Sequence, residues 1–183
     1  MTGWSRLSSI ADAIEWISER SGALLHGLTL VMVLVGAFNA VARYLDKYTG
    51  MGLSSNTWLE LQWYLFSAVF LVGAAYTLKH DAHVRVDVLY SNLSKRGKAW
   101  IDLLGTVFLL VPFCVVVLWM SWDVVVNSWA IWEQSPDPGG LPRYPVKTLI
   151  PIALVLVLLQ GVAMAVRAGA VLAGRDDGSS PDD

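Results

Sequence analysis

Residues 79–98 read KHDAHVRVDVLYSNLSKRGK, with two histidines three apart, Asp81 and Asp87 beside them, and five of the chain's thirteen Lys and Arg. These residue types suit a metal site. His80 and His83 would be neighbours on a helix prolonged from the apolar run before them, but Asp81 would point elsewhere. Catalytic zinc needs three well-oriented protein ligands and structural zinc four, so no metal is expected here. A second place for chemistry is the pair Glu60 and Arg43, which flank two apolar runs on the same side. They could pair across neighbouring helices, or stand as separate solvated charges. A third is His26 with His80, whose similar depth would allow bis-histidine haem in a four-helix bundle. One deep histidine and two loop histidines pair poorly, so no cofactor and no catalytic residue is expected.

The elements that must hold these residues are apolar. Of 183 residues, 55% are hydrophobic and 15% charged, and mean hydropathy is +0.53. A soluble domain carries about a quarter charged residues, so the composition belongs to the membrane class. A net charge of −2 offers no basic surface for nucleic acid. A helix rises about 1.5 Å per residue against a hydrocarbon core of about 30 Å, so about 20 apolar residues span it. Residues 22–42, 58–78, 101–122 and 149–166 qualify. Backbone groups in lipid must bond within their own segment, so these are helices. The expected fold is an all-α integral membrane protein, one membrane domain over 1–183 with four transmembrane helices.

The flanks predict orientation. Nine Lys and Arg lie in the N-terminal segment, the 79–98 loop and the C-terminal flank; Arg43, Lys47, Arg143 and Lys147 lie on the other side. Both termini are therefore expected in the cytoplasm, with the basic loop against anionic phospholipid headgroups. Ala40-Val41-Ala42 resembles a cleavage site, but the apolar run is too long for a signal peptide. Residues 4–20 place Trp4, Leu7, Ile10, Ala11, Ile14 and Ile17 at helical spacing, which predicts an amphipathic helix in the interface. Residues 174–183 are polar and acidic and are expected to be disordered.

Trp58 opens the second span, where an aromatic belt would sit. Trp119, Trp122, Trp129 and Trp132 are too many for one belt, so the third helix is expected to project beyond the bilayer, or to tilt strongly, and to extend to about residue 133. There the prolines and glycines of EQSPDPGGLPRYP end it. Trp129, Trp132 and Glu133 beside this rigid turn form a candidate protein-contact surface. Asn39 and Gln160 are deeper and are expected to hydrogen-bond between helices. No span holds a series of charges suited to a proton relay, which argues against a stand-alone exporter using Glu60.

In order and spacing the sequence resembles the small membrane subunit of tripartite ATP-independent periplasmic (TRAP) transporters, the DctQ-like family, over roughly residues 20–165. The resemblance rests on Arg43 closing span 1, Trp58-Leu59-Glu60 opening span 2, GAAY at 73–76, HVRVD at 83–87 and WEQSPDPGGLPRYPVKTLIP at 132–151. The family often has paired acids at the start of span 2; here Leu59 precedes Glu60. The resemblance implies a non-catalytic inner-membrane scaffold in a sodium-coupled importer of organic acids. Its partners would be a large membrane subunit, which holds the substrate and sodium sites, and a periplasmic substrate-binding protein. It carries His83, Arg85 and Asp87 over as braces of the span 2–span 3 connection or contacts with the large subunit. It also marks Ser135 and Arg143, within the motif before span 4, as structural or partner-contact candidates.

Overall fold

The computed structural model describes residues 3–80, 90 and 93–175, and every regular element among them is helical. Helix α1 is Gly3–Thr49, α2 is Asn56–Lys79, α3 is Lys95–Ala130 and α4 is Tyr144–Leu172. All four are long and apolar enough to cross a membrane, as expected from their sequence. The bundle has a basic end, where α2 finishes at Lys79 and α3 begins at Lys95. At the opposite loop end, α1 gives way to α2 and α3 to α4.

Residues 4–20 are helical, as expected, but are continuous with the first span and not a separate helix. They form the first turns of α1, which runs unbroken through Arg20, Ser21 and Gly22. Its 47 residues reach about 70 Å at about 1.5 Å each. Packing explains the correction. Ala11 and Ile14 lie buried against Ala163 and Val166 of α4, so this face meets protein, while Leu7, Ile10 and Ile17 stay exposed. Residues 176–183, most of the tail expected to be disordered, lie outside the described residues.

Helix α3 starts before the expected span, capped by the Ser94 hydroxyl accepting from the Gly97 N–H at 3.2 Å. It stops at Ala130, short of residue 133, and Trp132 turns the chain with a φ of 50°. Inside α3, Thr106–Leu110 forms a π-turn, closed by the Val111 N–H bonding the Thr106 carbonyl. Pro112 follows directly. Proline lacks an N–H and crowds the carbonyl four residues back, and a widened turn relieves that crowding.

Lipid tails are as apolar as leucine, so these helices associate by close fit and hydrogen bonds. Antiparallel α1 and α2 meet where Gly22 lies under the Tyr76 ring and Gly36 against the Gln62 amide; a Cβ there would come within 2.3 Å and 2.7 Å of them. The buried side chains are mostly small, including Ala11, Ala42, Ala75, Ala153 and Ala163, while Phe66 and Phe108 face outward. Helix α4 is central and touches all three others, whereas α3 packs chiefly on α4. A cleft is left between α2 and α3.

Of the deep amides, Gln160 accepts a 2.7 Å hydrogen bond from the Ser18 hydroxyl, locking α4 to α1. Asn39 departs from expectation: its Oδ1 is buried with no partner among the described residues.

Candidate functional site

The polar residues at the loop end converge on one carboxylate. Asn56, Glu60 and Tyr64 are spaced four apart, so they share a face of α2, and Thr57 stands beside them. That face receives the α3–α4 loop. The Asn56 amide donates to the Pro138 carbonyl at 3.0 Å, and the Thr57 hydroxyl to the Gly139 carbonyl at 2.5 Å. The Tyr64 hydroxyl reaches the Pro142 carbonyl at 2.8 Å.

Glu60 lies beneath the loop at 1% exposure. The Ser135 hydroxyl donates to its Oε1, and the Leu141 N–H donates to its Oε2 at 2.5 Å. The Arg143 guanidinium stands 3.7 Å from Oε1 and lies over the Trp63 ring, 5.4 Å from its centroid. Gly140 permits this approach, because a Cβ there would meet the Ser135 side chain at 2.5 Å and Glu60 Oε1 at 2.8 Å. A buried carboxylate is tolerated only when paired and hydrogen-bonded; both oxygens of Glu60 are.

A second acid ties the same loop to α3 and α4. Glu133 accepts from the Ser128 hydroxyl at 2.6 Å and from the Lys147 ammonium. Its carbonyl accepts the Arg143 N–H at 2.8 Å. The Lys147 hydrogen bond first, and the Ser128 hydroxyl next, hold the Glu133 carboxyl below the ordinary glutamate range. The Trp129 indole N–H donates to the Thr148 hydroxyl at 2.8 Å, and Trp129 and Trp132 pack on Tyr144 with centroids 4.5 and 5.3 Å away. Trp132 remains largely exposed beside this joint.

The sequence candidates therefore divide. Glu60, Ser135 and Arg143 form one cluster, and Trp129, Trp132 and Glu133 form the joint next to it. Arg43 does not pair with Glu60; it is exposed on α1, and Arg143 takes that place. Trp58 meets Phe38 edge-on at 5.0 Å, fastening α2 to α1. His83, Arg85 and Asp87 lie outside the described residues. Sequence reading missed Tyr64, Asn56, Thr57, Gly140 and Lys147. The four-residue spacing of Asn56, Glu60 and Tyr64 was the available signal.

At the basic end, Lys79 Nζ reaches Glu19 Oε2 at 2.6 Å, and His80 Nε2 lies 3.0 Å from the same oxygen. His26 Nδ1 lies 2.8 Å from the Gly22 carbonyl of its own helix. The two histidines thus hold separate partners. Among the described residues no group of three or more His, Cys, Asp or Glu is placed to hold a metal ion.

A family model described as Tripartite ATP-independent periplasmic transporters, DctQ component, matches residues 32–170. No curated protein and no solved structure matches the chain.

Proposed function

We propose a scaffold role for this chain, which belongs to the DctQ family, the small membrane component of tripartite ATP-independent periplasmic transporters. That component is part of a transporter and not an enzyme. In our reading it braces a large membrane subunit of a sodium-coupled importer of organic acids. The termini face the cytoplasm, and the α3–α4 loop faces a periplasmic binding protein. His83, Arg85 and Asp87 meet the large subunit on the cytoplasmic side or steady the loop that carries them.

The observation that carries this reading is the saturation of Glu60. A proton-carrying carboxylate has to release its partners and reach water. Glu60 instead spends both oxygens on the loop, which suits it to fixing a surface in place. The brace holds Trp129, Trp132 and Glu133 in one arrangement, as a docking surface requires.

Reconstitution tests the proposal. Liposomes holding the large subunit and this chain, supplied with binding protein and a sodium gradient, should take up substrate. Omitting this chain should abolish or strongly reduce uptake. Undiminished uptake without it, or uptake by this chain alone, would overturn the scaffold role.

A further inference from the structure

The cleft between α2 and α3 has a volume of about 1030 Å³ and is floored by α4. Its walls are apolar, with Phe70 and Leu71 from α2, Leu109 and Phe113 from α3, and Leu154 and Val157 from α4. Its polar groups gather toward the basic end, in Tyr90, Asp102 and Thr106. A cavity apolar along its length and polar at one end matches an amphiphile.

Thr106 adds a second, independent observation. Thr29, Thr49, Thr77 and Thr148 each donate the hydroxyl to the carbonyl four residues earlier. Thr106 does not: its Oγ1 is buried and has no partner among the described residues. The residue is 2% exposed and lines the cleft one helical turn below Asp102. A buried hydroxyl without a partner is costly, and an acceptor entering the cleft would supply one.

We propose that this cleft binds a phospholipid from the leaflet at the basic end. Its acyl chain lies between α2 and α3, and an ester carbonyl accepts the Thr106 hydroxyl. From Ile101 to Val117 the cleft runs about 24 Å at about 1.5 Å per residue. Half a bilayer with its headgroup layer is about 20–22 Å, a close match. Charge agrees as well. Lys95 and Arg96 are exposed in the first turn of α3, and Lys98 lies over the ring of the lining residue Tyr90 at 5.2 Å, all suited to a phosphate. Asp102 accepts the Tyr90 hydroxyl at 2.8 Å, so its acid is held beside these bases. An apolar helix of a partner would fill the walls but offer the Thr106 hydroxyl no acceptor, and it has none among the described residues.

The full chain in nanodiscs of phosphatidylethanolamine and phosphatidylglycerol, alone and with the large membrane subunit, provides the test. A phosphatidylcholine with a photoreactive acyl chain is included as the probe. Labelling should fall on Leu71, Leu110 and Leu154, the less exposed lining residues of the cleft, in both preparations. Thr106→Val should reduce it about two- to tenfold, the worth of one hydrogen bond, and Thr106→Ser should restore it. Labelling confined to outward residues such as Phe108 and Trp119 would overturn the proposal, as would equal labelling of Thr106→Val. So would loss of labelling in the complex while a cysteine at Leu109 crosslinks to the large subunit. None of these readouts depends on uptake, so the cleft and the scaffold role fail separately.

Discussion

Glu60 and Glu133 sit at one end of the bundle, yet removing each has a different consequence. Glu60 is buried, accepts from the Ser135 hydroxyl and the Leu141 N–H, and faces Arg143 at 3.7 Å. Its loss leaves that N–H without an acceptor and the guanidinium without its acid. Leaving a buried polar group unsatisfied costs about 1–3 kcal/mol, more for a charged one. Glu60→Ala and Arg143→Ala should therefore lower the melting temperature in detergent strongly. Arg43→Ala, at an exposed position, should stay within about 0.5 kcal/mol of the parent. Equal effects at Arg43 and Arg143 would contradict the pairing. Glu133 is partly exposed and is held below the ordinary glutamate range by Lys147 and Ser128. Its stabilising contribution is complete above that range and disappears as pH falls through its lowered value. Trp129 and Trp132 fluorescence should report the joint loosening on acidification below the ordinary range. Lys147→Met should bring that transition to higher pH.

Helix α1 is held to α4 by contacts of unequal weight. Arg167 bonds Asp12 at 2.5 Å and Glu15 at 3.0 Å, but it is 42% exposed. Exposed ion pairs contribute about 0.2–1 kcal/mol. The Ser18–Gln160 bond is buried, and stranding a buried amide costs about 1–3 kcal/mol. Ser18→Ala should thus destabilise the protein more than Arg167→Met does in the same thermal unfolding assay. The helices themselves were legible from length and hydropathy, because the bilayer imposes both. The union of residues 4–20 with the first span was not. Gly22 opens the expected span, and its lack of a side chain is what lets α1 pass under Tyr76. The π-turn was equally hidden, since Pro112 signals a disturbance without saying how the helix will absorb it.

For the molecule as a whole, the scaffold reading concerns both ends. Replacing His83 and Asp87 together by alanine should lower the yield of large subunit co-purified with this chain; normal yield and normal uptake would count against their proposed role. In the basic segment whose residue types suit a metal site, Lys79 and His80 fasten α2 to Glu19 of α1. The sequence by itself determined the four spans, the membrane class and the family, because each rests on local composition or on motifs in linear order. Only the tertiary structure decided which arginine Glu60 faces. Arg43 and Arg143 are both basic and both at the loop end, and linear spacing does not distinguish them. The choice falls to Arg143 because Gly140, which has no Cβ, lets the loop fold down onto α2. Hydrogen bonds from Asn56, Thr57 and Tyr64 then hold it there, between residues about eighty positions apart.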